Sequence, residues 1–174
     1  MGLAILARIN HHVSDLKKLF GKGDVVSISK YLDERLVLFL NARSRDEALS
    51  ELVDVLAKTG KLKDPKAFHS AILEREKIVS TGIGLGCAIP HAKLKGYDDF
   101  FIAIGVLSKE GVDWNALDGA PVRLVFMIGG PDHKQTEYLK ILSHLTMAIK
   151  NEERRKKLLK TADAADVLSL FAGC

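Results

Sequence analysis

Residues 80–92 read STGIGLGCAIPHA. Three glycines alternate with other residues, and an apolar run then closes on Pro90 and His91. Histidine has an ordinary pKa near ~6.5, so near neutral pH its ring is largely an uncharged nucleophile, and it can also act as acid, base or metal ligand. The glycines allow backbone angles that other residues avoid and a close approach to a ligand or partner. The stretch is not the dinucleotide fingerprint GxGxxG, because Cys87 stands where the third glycine belongs, and no Gly-Lys-Ser/Thr follows as a Walker loop requires. Both of those motifs also feed a helix N-terminus. Here CAIPHA follows, which reads as strand. Side chains alternate along a strand, so Cys87, Ile89 and His91 share one face. Pro90 cannot donate to a sheet ladder, which places His91 at a strand end or edge. Read from the residues alone, a histidine that merely terminates a strand is the simpler interpretation.

Other chemistries find less support. Cys87 and His91 are four residues apart on an extended chain, roughly 13 Å at ~3.3 Å per residue, too far for a thiolate–imidazole pair. The six histidines contain no HExxH-type spacing, and no serine sits in GxSxG. His11 and His12 are adjacent on a helical segment and point about 100° apart, a poor ligand pair. His69 falls within a helix and reads as a packed or surface residue. The two cysteines, Cys87 and Cys174, lie in no CxxC pair, which argues against zinc, against a disulfide framework and for a reducing cytoplasm.

The elements that must position His91 follow from periodicity and punctuation. VLFL at 37–40 is a short strand. Ser44 with Glu47 three residues on is a capping box opening a helix that stops at Gly60. Pro65 opens the next helix, which runs to about Glu76. FFIAIGVLS (100–108) and VRLVFMIGG (122–130) are near-continuous apolar strands of the kind covered on both faces. Helices are expected over about 135–150, 152–160 and 163–171. The interleaving predicts a single α/β domain with a short mixed sheet flanked by helices, over residues 25–174. Residues 1–24 read as an appended helix and linker, with no cleavage site of a signal peptide.

The chain has 174 residues, 47% apolar, and a net charge of +4. The run Arg154–Lys157 reads as a solvated helix face, and 6% aromatic content gives little to stack nucleic-acid bases on. No apolar run is long enough to span a bilayer. A cytoplasmic protein without nucleic-acid or membrane-embedded partners is expected.

The segment LEREKIVSTGIGLGCAIPHAK, 73–93, closely resembles the signature of the type-2 EIIA domains of the bacterial phosphotransferase system, found in fructose and mannitol EIIA domains and in nitrogen-regulatory EIIA proteins. Arg75, Glu76, Ser80, Thr81, Gly82, Gly84, Gly86, Ala88, Ile89, Pro90 and His91 all fit, and DWNALDGAPVRLVFMI at 113–128 fits a family strand. The resemblance implies the mannitol-EIIA-like fold. It implies that His91 accepts a phosphoryl group from the phosphohistidine carrier HPr or its nitrogen-pathway relative. His91 then passes the group to a cysteine of an EIIB domain, or keeps it as a regulatory mark toward a kinase or transporter. Arg75 is the matching phosphate-stabilising residue, since a guanidinium fork suits phosphate oxygens; by itself it would be expected to pair with a neighbouring glutamate. Thr81 and the backbone of Gly82, Gly84 and Gly86 are the candidate donors to the phosphate. The resemblance calls for no cofactor, metal or nucleotide. One position departs from it: where many members carry a second histidine, this chain has TEYL with Tyr138, a neutral phenol in reach of the site. With no EIIB or membrane segment in the same chain, a regulatory phosphocarrier is the favoured expectation. An EIIA subunit of a sugar transporter and a phosphorylation-independent binding module are the alternatives.

Overall fold

The two longest apolar runs form the centre of a sheet. In the computed structural model, which describes residues 27–174, β5 (Phe101–Leu107) and β6 (Leu124–Pro131) are buried at every position. They pair antiparallel from Phe101 opposite Gly129 to Val106 opposite Leu124. Alternation sends their side chains to two cores. Ala103, Leu107, Val125 and Met127 face one, and Ile102, Ile104, Leu124, Phe126 and Ile128 the other. The segment 1–24 lies outside the described residues.

β1 (Val37–Leu40) runs parallel to β5 at one edge. At the other edge, β2 (Gly82–Gly84) and β3 (Cys87–Ala88) form an antiparallel hairpin, and β3 lies parallel to β6. β4 (His91–Leu94) also lies parallel to β6. Cys87 is opposite Leu124 and His91 opposite Ile128, so β3 and β4 share one register and form a single line interrupted at Ile89–Pro90. The sequence placed His91 at a strand end or edge; among the described residues β4 is paired on one side alone, but the strand does not end there. Instead the ladder resumes there: the Pro90 carbonyl accepts from the Ile128 amide at 2.9 Å, and pairing continues to Leu94. Proline removes a donor but keeps its carbonyl, so it interrupts a strand without ending it.

The glycine stretch is a hairpin rather than an open loop. Leu85 and Gly86 form its two-residue turn with φ of 60° and 69°, the double left-handed pattern that matches strand twist. A leucine there is strained, and Asp118 offsets this by accepting from the Leu85 amide at 2.9 Å.

Helices cover both faces. α1 (Arg45–Lys58) starts at Ser44, whose hydroxyl accepts from the Glu47 amide at 3.2 Å. The Glu47 carboxylate reaches back to the Arg43 amide, one residue before the cap itself. α2 (Pro65–Ile78) starts on Asp64, which accepts from Ala67 at 3.0 Å. These two helices pack with Trp114 on the first core. α3 (Gln135–Lys150), α4 (Glu152–Leu158) and α5 (Ala164–Ser169) close the second. The basic run of α4 is not wholly solvated. Arg154 and Arg155 donate to carbonyls at the end of α3, including Ala148 and Ile149 at 2.7 Å each, which satisfies groups that a helix terminus leaves open.

Candidate functional site

β2 flanks β3 but does not extend along β4, whose sole sheet partner among the described residues is β6. The site lies on this uncovered stretch. His91 begins β4 and is half-buried. Its Nδ1 lies 2.9 Å from the Ile89 carbonyl, an acceptor only, so Nδ1 carries the ring hydrogen. Nε2 is left with its lone pair, and Arg75 Nε donates to it at 3.1 Å. Arg75 stands in the last turn of α2, which packs against β4, and its Nη1 donates to the Val79 carbonyl at 3.0 Å. The expected pairing of Arg75 with a neighbouring glutamate is not made: its partners are a neutral imidazole and a carbonyl.

Burial lowers the His91 pKa below its ordinary value, and the positive charges of Arg75 and Lys93 lower it further. The Ile89 hydrogen bond and the Glu76 carboxylate oppose this without reversing it. The ring is therefore neutral near pH 7, with one tautomer selected and Nε2 the basic atom.

Tyr138, in the first turns of α3, packs beside this ring with centroids 5.6 Å apart and planes 46° apart. Its ring also lies 6.2 Å from that of Phe100. Burial raises the Tyr138 pKa to about 12, so the phenol is neutral wherever the protein functions. The position that departs from the family pattern thus lies against His91.

The glycine-loop donors are placed differently from expectation. Thr81 is buried, and both of its donors go to Glu76: the amide to Oε1 at 2.8 Å and the hydroxyl to Oε2 at 2.5 Å. Trp114 Nε1 donates to the same hydroxyl at 3.2 Å. The Gly82 amide goes to the Ser80 hydroxyl at 3.1 Å. Gly84 and Gly86 lie at the closed end of the hairpin, beyond Cys87. Cys87 itself is four paired residues from His91, roughly 13 Å in an extended strand, so these two glycines shape the hairpin and stand away from the imidazole. In this geometry Thr81 and the three glycines build the support for β3 and β4.

Two residues were given no role by the sequence reading. Glu76 anchors the start of the hairpin. Lys93, two residues past His91 on the same strand face, places Nζ 4.6 Å from the Tyr138 ring centroid and donates to Gln135 Oε1. The period of two along a strand was the signal that could have found Lys93. Among the described residues no group of three or more His, Cys, Asp or Glu side chains could hold a metal ion, and no helix is long and apolar enough to cross a membrane.

A neutral, tautomer-fixed imidazole beside a guanidinium offers a nucleophilic nitrogen next to a donor suited to anionic oxygens. The family described as "Phosphoenolpyruvate-dependent sugar phosphotransferase system, EIIA 2" matches residues 30–173. The chain belongs to that family. It is 44% identical over 131 residues to the fructose-specific EIIABC component of Bacillus subtilis, a match covering 75% of this chain and 20% of that longer protein. It is 32% identical over 140 residues to a nitrogen regulatory protein of Bradyrhizobium diazoefficiens, covering 80% of this chain and 90% of the relative. Among solved structures, the nitrogen regulatory protein IIA-Ntr of Neisseria meningitidis superposes with a TM-score of 0.76 at 28% identity, over 83% of this chain and 98% of that one. The mannitol IIA of Escherichia coli, in its complex with phosphorylated IIB, superposes at 0.69 and 25% identity, over 82% and 98%. The protein is an EIIA-type component of the phosphotransferase system, with both nitrogen-type and sugar-type relatives.

Proposed function

We propose that the protein carries a phosphoryl group on His91 Nε2, received from the phosphohistidine of HPr or of its nitrogen-pathway relative. The observation that carries this reading is the pair of hydrogen bonds on the His91 ring: Nδ1–H held by the Ile89 carbonyl and the Nε2 lone pair held by Arg75. Transfer forms a phosphorus–nitrogen bond at Nε2 and breaks the one in the donor. The electron pair of the broken bond returns to the donor ring, which leaves neutral because its other nitrogen carries a proton. His91 keeps its Nδ1 hydrogen, and the positive charge that its ring acquires is stabilised by the Ile89 carbonyl. Arg75 must release Nε2 as the donor arrives, which frees its fork for the phosphoryl oxygens, where charge spreads in the transition state.

The onward step has two destinations. The regulatory reading is favoured, in which the phosphorylation state of His91 controls contact with a kinase or transporter. Its support is the better superposition on the nitrogen-regulatory structure, with a TM-score of 0.76 against 0.69 for the mannitol IIA. The second reading is transfer to the cysteine of an EIIB domain, and the 44% identity with a fructose-specific component favours it. In either role the protein works in the cytoplasm, where the phosphoenolpyruvate-driven donors are.

Incubation with phosphoenolpyruvate, enzyme I and HPr or its relative is expected to label the protein with an acid-labile, base-stable phosphate, and His91→Ala to abolish the label. Undiminished labelling of His91→Ala would remove His91 from the role. No labelling of the wild type by either carrier would leave a binding module that works without phosphorylation.

A further inference from the structure

Lys93 has no part in the reading above, which names His91 and Arg75. It lies on β4 two residues beyond His91, so the two side chains leave the same face with Cα atoms roughly 6.6 Å apart at ~3.3 Å per residue. Its Nζ is held by the Tyr138 ring, at 4.6 Å, and by the neutral oxygen of Gln135. That ring is the one packed at a tilt beside His91, with centroids 5.6 Å apart. Among the described residues neither Lys93 nor Arg75 forms an ion pair with a carboxylate, and their hydrogen-bond acceptors there are neutral. The nearest buried carboxylate, Glu76, has both oxygens occupied by Thr81. Two cations beside an uncharged nucleophile, with no anion paired to either, make an electrostatic site whose charge is unbalanced until an anion arrives. A histidine-bound phosphoryl group brings about two negative charges and three acceptor oxygens.

We propose that Lys93 is a second phosphate-contacting residue, which leaves Gln135 and the Tyr138 ring to donate to the phosphoryl oxygens on His91. The inference rests on phosphorylation of His91. Arg75 approaches from α2 and Lys93 from β4, so the two cations reach the group from different elements and hold separate oxygens. A lysine suits the second place because its ammonium is a mobile point charge on a long stem, able to rest on one partner and move to another. Departure of Lys93 also frees Gln135 at the first residue of α3, so the local change reaches that helix terminus.

The test is the equilibrium of phosphoryl exchange between the carrier and this protein, measured for wild type, Lys93→Met and Lys93→Arg. Loss of one hydrogen bond to a charged group is worth about tenfold to a hundredfold in such an equilibrium. Lys93→Met is expected to shift it toward the phosphorylated carrier by that factor, and Lys93→Arg to restore most of the difference. Phosphorylation of the wild type is expected to move the Tyr138 ring and Gln135 side-chain amide resonances, and much less so in Lys93→Met. If Lys93→Met exchanges within twofold of wild type, or Lys93→Arg restores nothing, Lys93 does not hold the phosphate, and the assignment of His91 stands. If the wild type accepts no phosphate from either carrier, both readings fall together.

Discussion

The line of chain from Cys87 to Leu94 is one strand in register and two regions in character. Before Pro90, Cys87 and Ala88 are fully buried, with β2 on one side and β6 on the other. After Pro90, His91 to Leu94 pair with β6 alone, and three of the four are only partly buried. The first half holds the thiol, but burial raises the Cys87 pKa to about 12, so it is not a nucleophile near neutral pH. The second half holds an imidazole whose pKa burial pushes down, toward the reactive neutral form. Burial acts on both groups in the same way, by penalising charge. It silences the thiol, whose reactive form is charged, and it keeps the imidazole ready. The missing second sheet partner then leaves His91 partly exposed, as the proposed transfer needs.

The contrast can be broken from either half. Arg75→Lys should slow phosphoryl uptake on the order of 10²-fold while leaving the melting temperature nearly unchanged, because a preorganised donor at developing charge is worth that much. A normal rate in a folded Lys variant would take Arg75 out of the reaction. Gly82→Val attacks the first half instead. A Cβ on Gly82 would lie 2.8 Å from the Ala116 Cβ and 2.9 Å from its Cα, so backbone must move. A stability loss of about 1–3 kcal/mol is expected in denaturant unfolding, with uptake persisting under conditions where the variant is folded. If it stays fully stable yet cannot be phosphorylated, the hairpin does more than support the site.

The third test sharpens the second half. Uptake in wild type and in Tyr138→Phe should follow one pH profile, falling only as pH drops below the ordinary histidine range, because the phenol does not titrate there. Tyr138→His places a second imidazole beside His91 and should add a titration step between about pH 5.5 and 8. Three superimposable profiles would set position 138 outside the site. The smallest effect is on stability. The folded-state pKa of His91 lies below its unfolded value, so near that range the unfolded chain binds more protons and stability falls as pH falls. The loss begins near ~6.5 and levels off below the folded pKa. Unfolding curves of His91→Gln should lack this share of the slope, and identical slopes in the two proteins would rule out the lowered pKa.

Much of the fold could be read in advance because its signals are local. The apolar runs of β5 and β6, the Ser44 cap and the Pro65 start each depend on a few neighbouring residues, and each lies where the sequence suggested. The hairpin was harder, because its two-residue turn uses Leu85 where asparagine or glycine is usual, and the residue that makes this tolerable, Asp118, is 33 positions away. The continuation of β4 was hidden for the same reason: its partner β6 is 37 residues on, and Pro90 looked like a stop. At the site, the juxtaposition of Arg75 with His91 came from the family resemblance, since the two lie sixteen positions apart across a helix end and a hairpin, a separation that carries no spacing rule. The same hairpin brings Thr81 onto Glu76, so the donors assigned by pattern to a phosphate are used to hold the scaffold.

One consequence follows from the pairing of His91 with Ile128. The backbone beneath the imidazole is clamped to the central strand of the sheet, and β6 is buried along its whole length. A group added to the ring finds no hinge beneath it to turn. What it adds is charge, about two negative units on the phosphoryl oxygens against one positive on the ring, delivered to a fixed address. A protein that distinguishes the marked from the unmarked state would be reading an electrical label and the side chains that turn to it rather than a shift of the backbone, and its discrimination should fade as salt is raised.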